Sequence, residues 1–160
     1  MRFVVVAVGQ RMPAWVDAGF DDYARRMPRE SALGLVEIKP QSRAEKGEDA
    51  RGIERVIEAE GKRISAALPN DAYTVALDER GRAFTTAELA RRIDGWKMDA
   101  HDVAFVIGGA DGLTPRLKRE ADLMWSLSAL TLPHALVRVI VAEQLYRAVS
   151  ILRNHPYHRA

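Results

Sequence analysis

Short apolar runs alternate along the chain with longer stretches whose apolar positions recur every three to four residues. Phe3–Val8 is an unbroken apolar run closed by Gly9, the pattern of a strand buried on both faces. Pro13 opens a helix on which Val16, Phe20, Tyr23 and Met27 share one side, and Pro28 stops it. Leu33–Ile38 reads as a second strand, ended by Pro40, and residues 41–46 as a polar, basic loop. A long amphipathic helix is predicted over 48–68, with Ile53, Val56, Ile57, Ile64 and Leu68 facing inward. Pro69-Asn70-Asp71 breaks it. Residues 73–77 form a third strand, and Asp78-Glu79-Arg80-Gly81 reads as a turn.

Thr85 and Glu88 are spaced as a capping box, and the helix they start carries Leu89, Ile93 and Trp96 on one side. Val103–Ile107 is a fourth strand ending in Gly108-Gly109. A turn at Asp111-Gly112 leads to a short helix over 115–122, then a short fifth strand over 124–127. Residues 128–133 are a loop, His134–Leu152 a last helix, and 154–160 a tail. Strands alternate with helices, and the strands are apolar runs rather than strict alternators. This predicts one α/β domain over 1–160, a mainly parallel sheet with helices on both faces. Ligands of such sheets sit beyond the carboxyl ends of the strands. The loops after Leu77, Ile107 and Leu127 are therefore the candidates.

The absence of cysteine removes disulfides, zinc–thiolate sites and thiol nucleophiles together, and it fits a cytoplasmic protein. The first apolar run is too short for a signal segment or a membrane span, and no later stretch is long enough without charge, so no membrane is expected. A net charge of +2 and a pI near 9.1 permit a nucleic-acid partner without demanding one.

Four constellations can carry chemistry. Ile107-Gly-Gly-Ala-Asp-Gly112 lets a ligand approach bare backbone, or is simply a tight turn needing positive φ. It matches neither a dinucleotide nor a Walker fingerprint. Trp125-Ser-Leu-Ser-Ala-Leu-Thr-Leu-Pro-His134 is an apolar loop with small hydroxyls, suited to an adenine or to a buried crossover with hydroxyl caps. The tail Asn154-His-Pro-Tyr-His-Arg159 gathers imidazoles, a phenol and a guanidinium. Its two histidines have no carboxylate or thiolate beside them, so no metal site is expected. Glu143 and Arg147 are spaced as an ordinary helical ion pair, and Arg138 does not share their face. The basic residues Arg25, Arg26 and Arg29, with Arg43 and Lys46, are either phosphate contacts or a solvated face. On residues alone, a flavodoxin-like regulator stays open beside an enzyme.

Val106-Ile-Gly-Gly109, the 125–134 string, Val137-Arg-Val139, Glu143-Gln-Leu-Tyr-Arg-Ala148 and the 154–159 tail occur in this order. They are joined by Val6-Ala-Val-Gly9 and Met12-Pro-Ala-Trp15 near the start. Together they resemble the SPOUT methyltransferases, and among them the enzymes that methylate N3 of a pseudouridine in bacterial 23S ribosomal RNA. The resemblance spans essentially the whole chain, although 41–70 matches only in pattern. It implies a C-terminal trefoil knot, a homodimer packed through the last helix and the knot, and S-adenosyl-L-methionine (SAM) as methyl donor. It further implies that Leu77, Gly109, Ser128, Ala129, Leu130, Thr131, Leu132 and Pro133 line the SAM site, and that the substrate is 23S rRNA within the assembled ribosome. N3 of pseudouridine bears a proton that must leave before or during methyl transfer, so a base or an anion stabiliser is needed. By this likeness His158 is the base, Arg159 the anion stabiliser or phosphate anchor and Tyr157 a stacking surface. Arg147 and Glu143 are further candidates. A SPOUT enzyme for another RNA, and a ribosome-binding factor that only senses SAM, are the competing readings.

Overall fold

The computed structural model describes residues 1–42, 49–99 and 101–158. Five parallel strands form one sheet, β1 (Phe3–Val8), β2 (Leu33–Ile38), β3 (Tyr73–Arg82), β4 (Val103–Ile107) and β5 (Leu123–Trp125), in the order β2-β1-β4-β3-β5. The parallel sheet read from the apolar runs is therefore present, with β4 buried along its whole length.

Side-chain alternation divides the core into two layers. Phe3, Val5, Ala7, Val103, Phe105 and Ile107 face α1 (Ala14–Arg26), α3 (Thr86–Met98) and α5 (His134–Leu152). Val6, Val8, Ala76 and Val106 face α2 (Ala50–Ala67) and α4 (Pro115–Glu120). Each fully buried Val, Leu, Ile or Phe contributes about 1.5–3 kcal/mol relative to exposure, so the two layers hold the carboxyl edge of the sheet rigid beneath its loops.

Helix ends follow the local chemistry. Thr85 and Glu88 cap α3 reciprocally, with Thr85 Oγ1 accepting from Glu88 N (3.2 Å) and Glu88 Oε2 from Thr85 N (2.6 Å). Asp49 caps α2 by accepting from Gly52 N (2.8 Å), and Thr114 caps α4 by accepting from Leu117 N (3.0 Å). Pro13 and Pro133 stand at the N-caps of α1 and α5. The sequence bounds of β1, β2, β4 and α5 agree with the structure. α1 ends at Arg26, α2 starts two residues later than expected, and β5 sits one residue earlier, with Leu127 outside it.

One expectation is corrected. Residues 78–81 are not a plain turn between strand and helix, because β3 continues to Arg82. Leu77 and Arg82 both stand opposite Trp125, so the four residues between them bulge out of the ladder. A side chain at Gly81 would lie 2.7 Å from the backbone of Met124 and Trp125, which is why the bulge needs a glycine there.

Gly9 ends β1 at φ 125°, a conformation open to glycine. A Cβ there would stand 2.7 Å from Met12 Cε and 3.1 Å from Arg138 Nη2. Gly9→Ala is expected to lower the unfolding free energy by about 1–3 kcal/mol, checked by urea denaturation.

Candidate functional site

The three carboxyl-end loops meet. A cavity of about 630 Å³ is walled by Leu77 and the bulge 78–80, by 107–112, and by Trp125, Leu127, Ser128 and 130–134. Lys118 of α4 and Val137 of α5 complete it. That volume is in the range that holds a cofactor-sized ligand. Of the residues expected to hold SAM, Leu77, Gly109, Ser128, Leu130, Thr131, Leu132 and Pro133 line this cavity; Ala129 does not.

The turn after β4 owes its glycines to close packing. A Cβ on Gly108 would lie 2.7 Å from the Gly112 carbonyl carbon, and one on Gly109 would lie 3.1 Å from both Glu60 Oε1 and Val8 Cγ1. The positive φ that the tight-turn reading expected within 107–112 falls at Gly112 (81°). The result is a stretch of bare backbone presented to the cavity.

Hydroxyls shape the 126–133 loop. Ser126 Oγ donates to Ser128 O (2.9 Å), Ser128 Oγ accepts from Leu130 N (3.0 Å), and Thr131 Oγ1 donates to Glu79 Oε2 (2.7 Å). The last bond ties this loop to the β3 bulge. Across the cavity Lys118 Nζ pairs with Asp78 Oδ2 at 2.6 Å, and Arg80 N donates to Asp78 Oδ1 (2.8 Å). Burial pushes the Asp78 carboxyl up, but the Lys118 bond and charge and the Arg80 amide outweigh it, so its pKa lies below the ordinary carboxylate value. Asp78, Glu79, Arg80, Asp111, Lys118 and His134 line the cavity beyond the residues expected to hold SAM. All but Lys118 were signalled, by their place in the loops after Leu77, Ile107 and Leu127.

The walls fit SAM. Leu77, Ile107, Leu127, Leu132 and Val137 give an adenine and a methylene chain apolar contact, and the bare backbone offers hydrogen bonds. Asp78, Glu79 and Asp111 outnumber Arg80 and Lys118 in the lining, a small acidic excess that suits a cationic ligand. His134 opens α5 beside the cavity; burial first, and the Arg138 charge second, hold its imidazole below its ordinary pKa.

The tail is docked elsewhere. A short 3-10 turn, Pro156–His158, folds back on α5. The Tyr157 hydroxyl donates to Glu143 Oε1 (3.2 Å) and lies 3.5 Å from the Tyr23 hydroxyl. Glu143 Oε1 also pairs with Arg147 Nη2 at 2.6 Å, and the Arg147 guanidinium lies 4.9 Å from the Tyr157 ring centre. Glu143 and Arg147 are thus more than a surface pair, since a tail phenol shares their carboxylate. Burial, then Tyr23 and the Glu143 charge, raise the Tyr157 phenol well above its ordinary pKa, so it donates at neutral pH. His158 Nδ1 contacts His155 O. Arg159 lies outside the described residues, as do Arg43 and Lys46. Arg26 pairs with Asp22 (2.8 Å) and lies near the rings of Tyr23 and Tyr146.

No described tail residue lines the cavity. The cavity opens at the start of α5 and the tail leaves its end, 19 residues later, roughly 28 Å along the axis. Within one chain, the expected cofactor residues and the expected catalytic residues remain apart.

The comparisons with known proteins agree with this architecture. A family model described as "Predicted SPOUT methyltransferase" matches residues 1–158. Two relatives, from Burkholderia multivorans (strain ATCC 17616 / 249) and Burkholderia vietnamiensis (strain G4 / LMG 22486), are each named "Ribosomal RNA large subunit methyltransferase H". Each is 56% identical over 160 residues, which is all of this chain and all of the relative. A solved structure described as a probable methylase family protein from Haemophilus influenzae Rd KW20 superposes with a TM-score of 0.52 at 16% identity. It covers 99% of this chain and 70% of that one, a likeness of fold. Glycine-bared strand end, hydroxyl-shaped loop and full-length match converge: the chain belongs to the SPOUT methyltransferase family.

Proposed function

We propose that this protein methylates N3 of a pseudouridine in 23S rRNA of the assembled ribosome, as a cytoplasmic homodimer using SAM. The observation that carries the substrate is the end-to-end likeness to relatives named for large-subunit rRNA methylation. The carboxyl-end cavity supports the donor. Bound there, SAM supplies the methyl group that ends on N3.

The chain's own residues do the rest. Leu77, Gly109, Ser128 and 130–133 hold the donor, by side chain or backbone. His158 accepts the N3 proton, and Arg159 stabilises the negative charge that spreads onto the flanking carbonyl oxygens. Tyr157, held protonated, stacks or donates rather than acting as base. Arg147 and Glu143 keep that phenol in place.

What α5 leaves uncovered supports the dimer. The helix is apolar around most of its circumference, a composition suited to burial on all sides. Yet Leu136, Val137, Val139 and Ile140 are only half-buried in one chain, and Leu130 is 72% exposed. Packing α5 of two copies antiparallel buries that side and sets each tail beside the other copy's cavity. The resemblance adds a trefoil knot in the C-terminal third. Consistent with it, the chain after β5 at one sheet edge returns to pack α5 between α1 and α3. Among the described residues, no helix is long and apolar enough to cross a membrane.

Purified protein, SAM and ribosomes lacking the modification test the reading, with nucleoside mass spectrometry of the digested 23S rRNA. One added methyl on pseudouridine, with assembled ribosomes only, is the expected result. SAM binding without that methyl transfers the proposal to another RNA or to a SAM-sensing factor.

A further inference from the structure

Arg138 is the largest fully buried side chain among the described residues, at 0% exposure. It stands one turn after His134 on α5, on the side away from Glu143 and Arg147. Its Nη1 pairs with Glu37 Oε2 of β2 at 2.8 Å, and its Nη2 donates to Gly9 O (2.9 Å) and Val8 O (3.4 Å) at the end of β1. One guanidinium therefore joins the carboxyl ends of two strands to the first turn of α5. Its place requires Gly9, because a Cβ there would lie 3.1 Å from Nη2 and 3.7 Å from His134 Nε2.

That first turn directly follows the 128–133 loop. Pro133, His134 and Val137 line the cavity, while Arg138, between them and the sheet, does not. The upstream end of the same loop is fixed by β5 through Trp125. Its middle is tied to the β3 bulge by the exposed Thr131–Glu79 bond, while the end that runs into α5 is not paired with a strand. The guanidinium is the polar link that sets where that end stands over the sheet. Its Nε has no hydrogen-bond partner among the described residues. A buried ion pair with an unsatisfied donor is a poor source of stability compared with apolar packing, which makes placement the better account of this residue.

We infer that Arg138 is a positioning residue for the cofactor cavity, fixing the downstream end of the 128–133 loop through Gly9 and Glu37 without touching the ligand. The inference rests on the reading of the cavity as a SAM site. Three variants test it: Arg138→Met, Arg138→Lys and Glu37→Gln. SAM affinity is measured by calorimetry well below each variant's melting temperature, alongside KM for SAM and kcat. Arg138→Met is expected to weaken SAM binding by about tenfold or more, the scale of a lost charge-assisted bond. Its kcat at saturating SAM should stay near the wild-type value. Arg138→Lys, which keeps a charged donor, should recover part of the affinity. Glu37→Gln, whose side chain is outside the cavity, should weaken binding by a smaller factor in the same direction. If Arg138→Met does not fold, the other two variants carry the test. Lowered melting temperatures with unchanged SAM affinity in every folded variant overturn the inference. Wild-type protein that fails to bind SAM sinks the reading of the cavity, and this inference with it.

Discussion

Replacing Gly108 by valine is expected to cost the protein most of its affinity for SAM. The Cβ would stand 2.7 Å from the Gly112 carbonyl carbon and 2.8 Å from its oxygen. Those atoms are backbone, so no flexible side chain can move aside. The turn over 108–112, braced by the Gly109–Gly112 bridge, must open instead. The same turn forms one wall of the cavity. Overpacking of this kind costs about 1–3 kcal/mol, which corresponds to roughly 5- to 150-fold in binding if the strain falls on the SAM-competent shape. Calorimetry with SAM reads the affinity, and urea denaturation reads how much of the cost falls on the fold. Gly95→Ala is the matched control: it sits inside α3 with nothing within 4 Å of an added Cβ. That variant should gain up to about 1 kcal/mol of stability from helix propensity and bind SAM normally. Equal SAM affinity in Gly108→Val and wild type would remove the 108–112 turn from the site.

Much of the architecture was legible because it depends on neighbours in sequence. The cap at Thr85 and Glu88, the prolines before α1 and α5, and the apolar runs of β1 and β4 are local signals, and the structure obeys them. The β3 bulge was not legible. Asp78-Glu79-Arg80-Gly81 has turn chemistry, and only the pairing of Arg82 with Trp125 makes it an interruption within a strand. Arg138 was equally hidden. In sequence it is one cation on an apolar helix; its partner Glu37 lies 101 residues away, and only the assembled sheet brings them together. The site was half legible. The rule that ligands gather at the carboxyl ends of parallel strands picked the three loops that do meet. Lys118, which reaches the cavity from α4, carried no such signal. The Glu143–Arg147 pair could be read from its spacing, but the Tyr157 phenol that joins it comes from a tail whose path no periodicity encodes.

That path decides the last expectation. His158→Ala should lower turnover by about 10²–10⁴-fold, the usual loss of a general base, with SAM affinity unchanged because His158 is not among the residues lining the cavity. Near-normal turnover would take the base role from His158. Where the tail acts is a separate question, and the geometry of one chain favours action on a second copy. In one chain the tail is pinned to Glu143 and Tyr23 while the cavity opens at the other end of α5. A tail working on its own cavity would have to give up those contacts and run back along the helix. A tail working on the neighbour's cavity can keep them. Mixed dimers separate the two cases. One chain lacks residues 157–160 but has an intact cavity; the other carries Gly108→Val but has an intact tail. At SAM concentrations that saturate the wild type but lie well below the Kd of Gly108→Val, each variant homodimer should be nearly inactive. Isolated by two affinity tags, the heterodimer should regain about half the wild-type rate if the tail acts across the dimer, since one of its two sites combines a whole cavity with a whole tail. If the tail acts within its own chain, no site in the heterodimer is whole, and it should be as inactive as its parents.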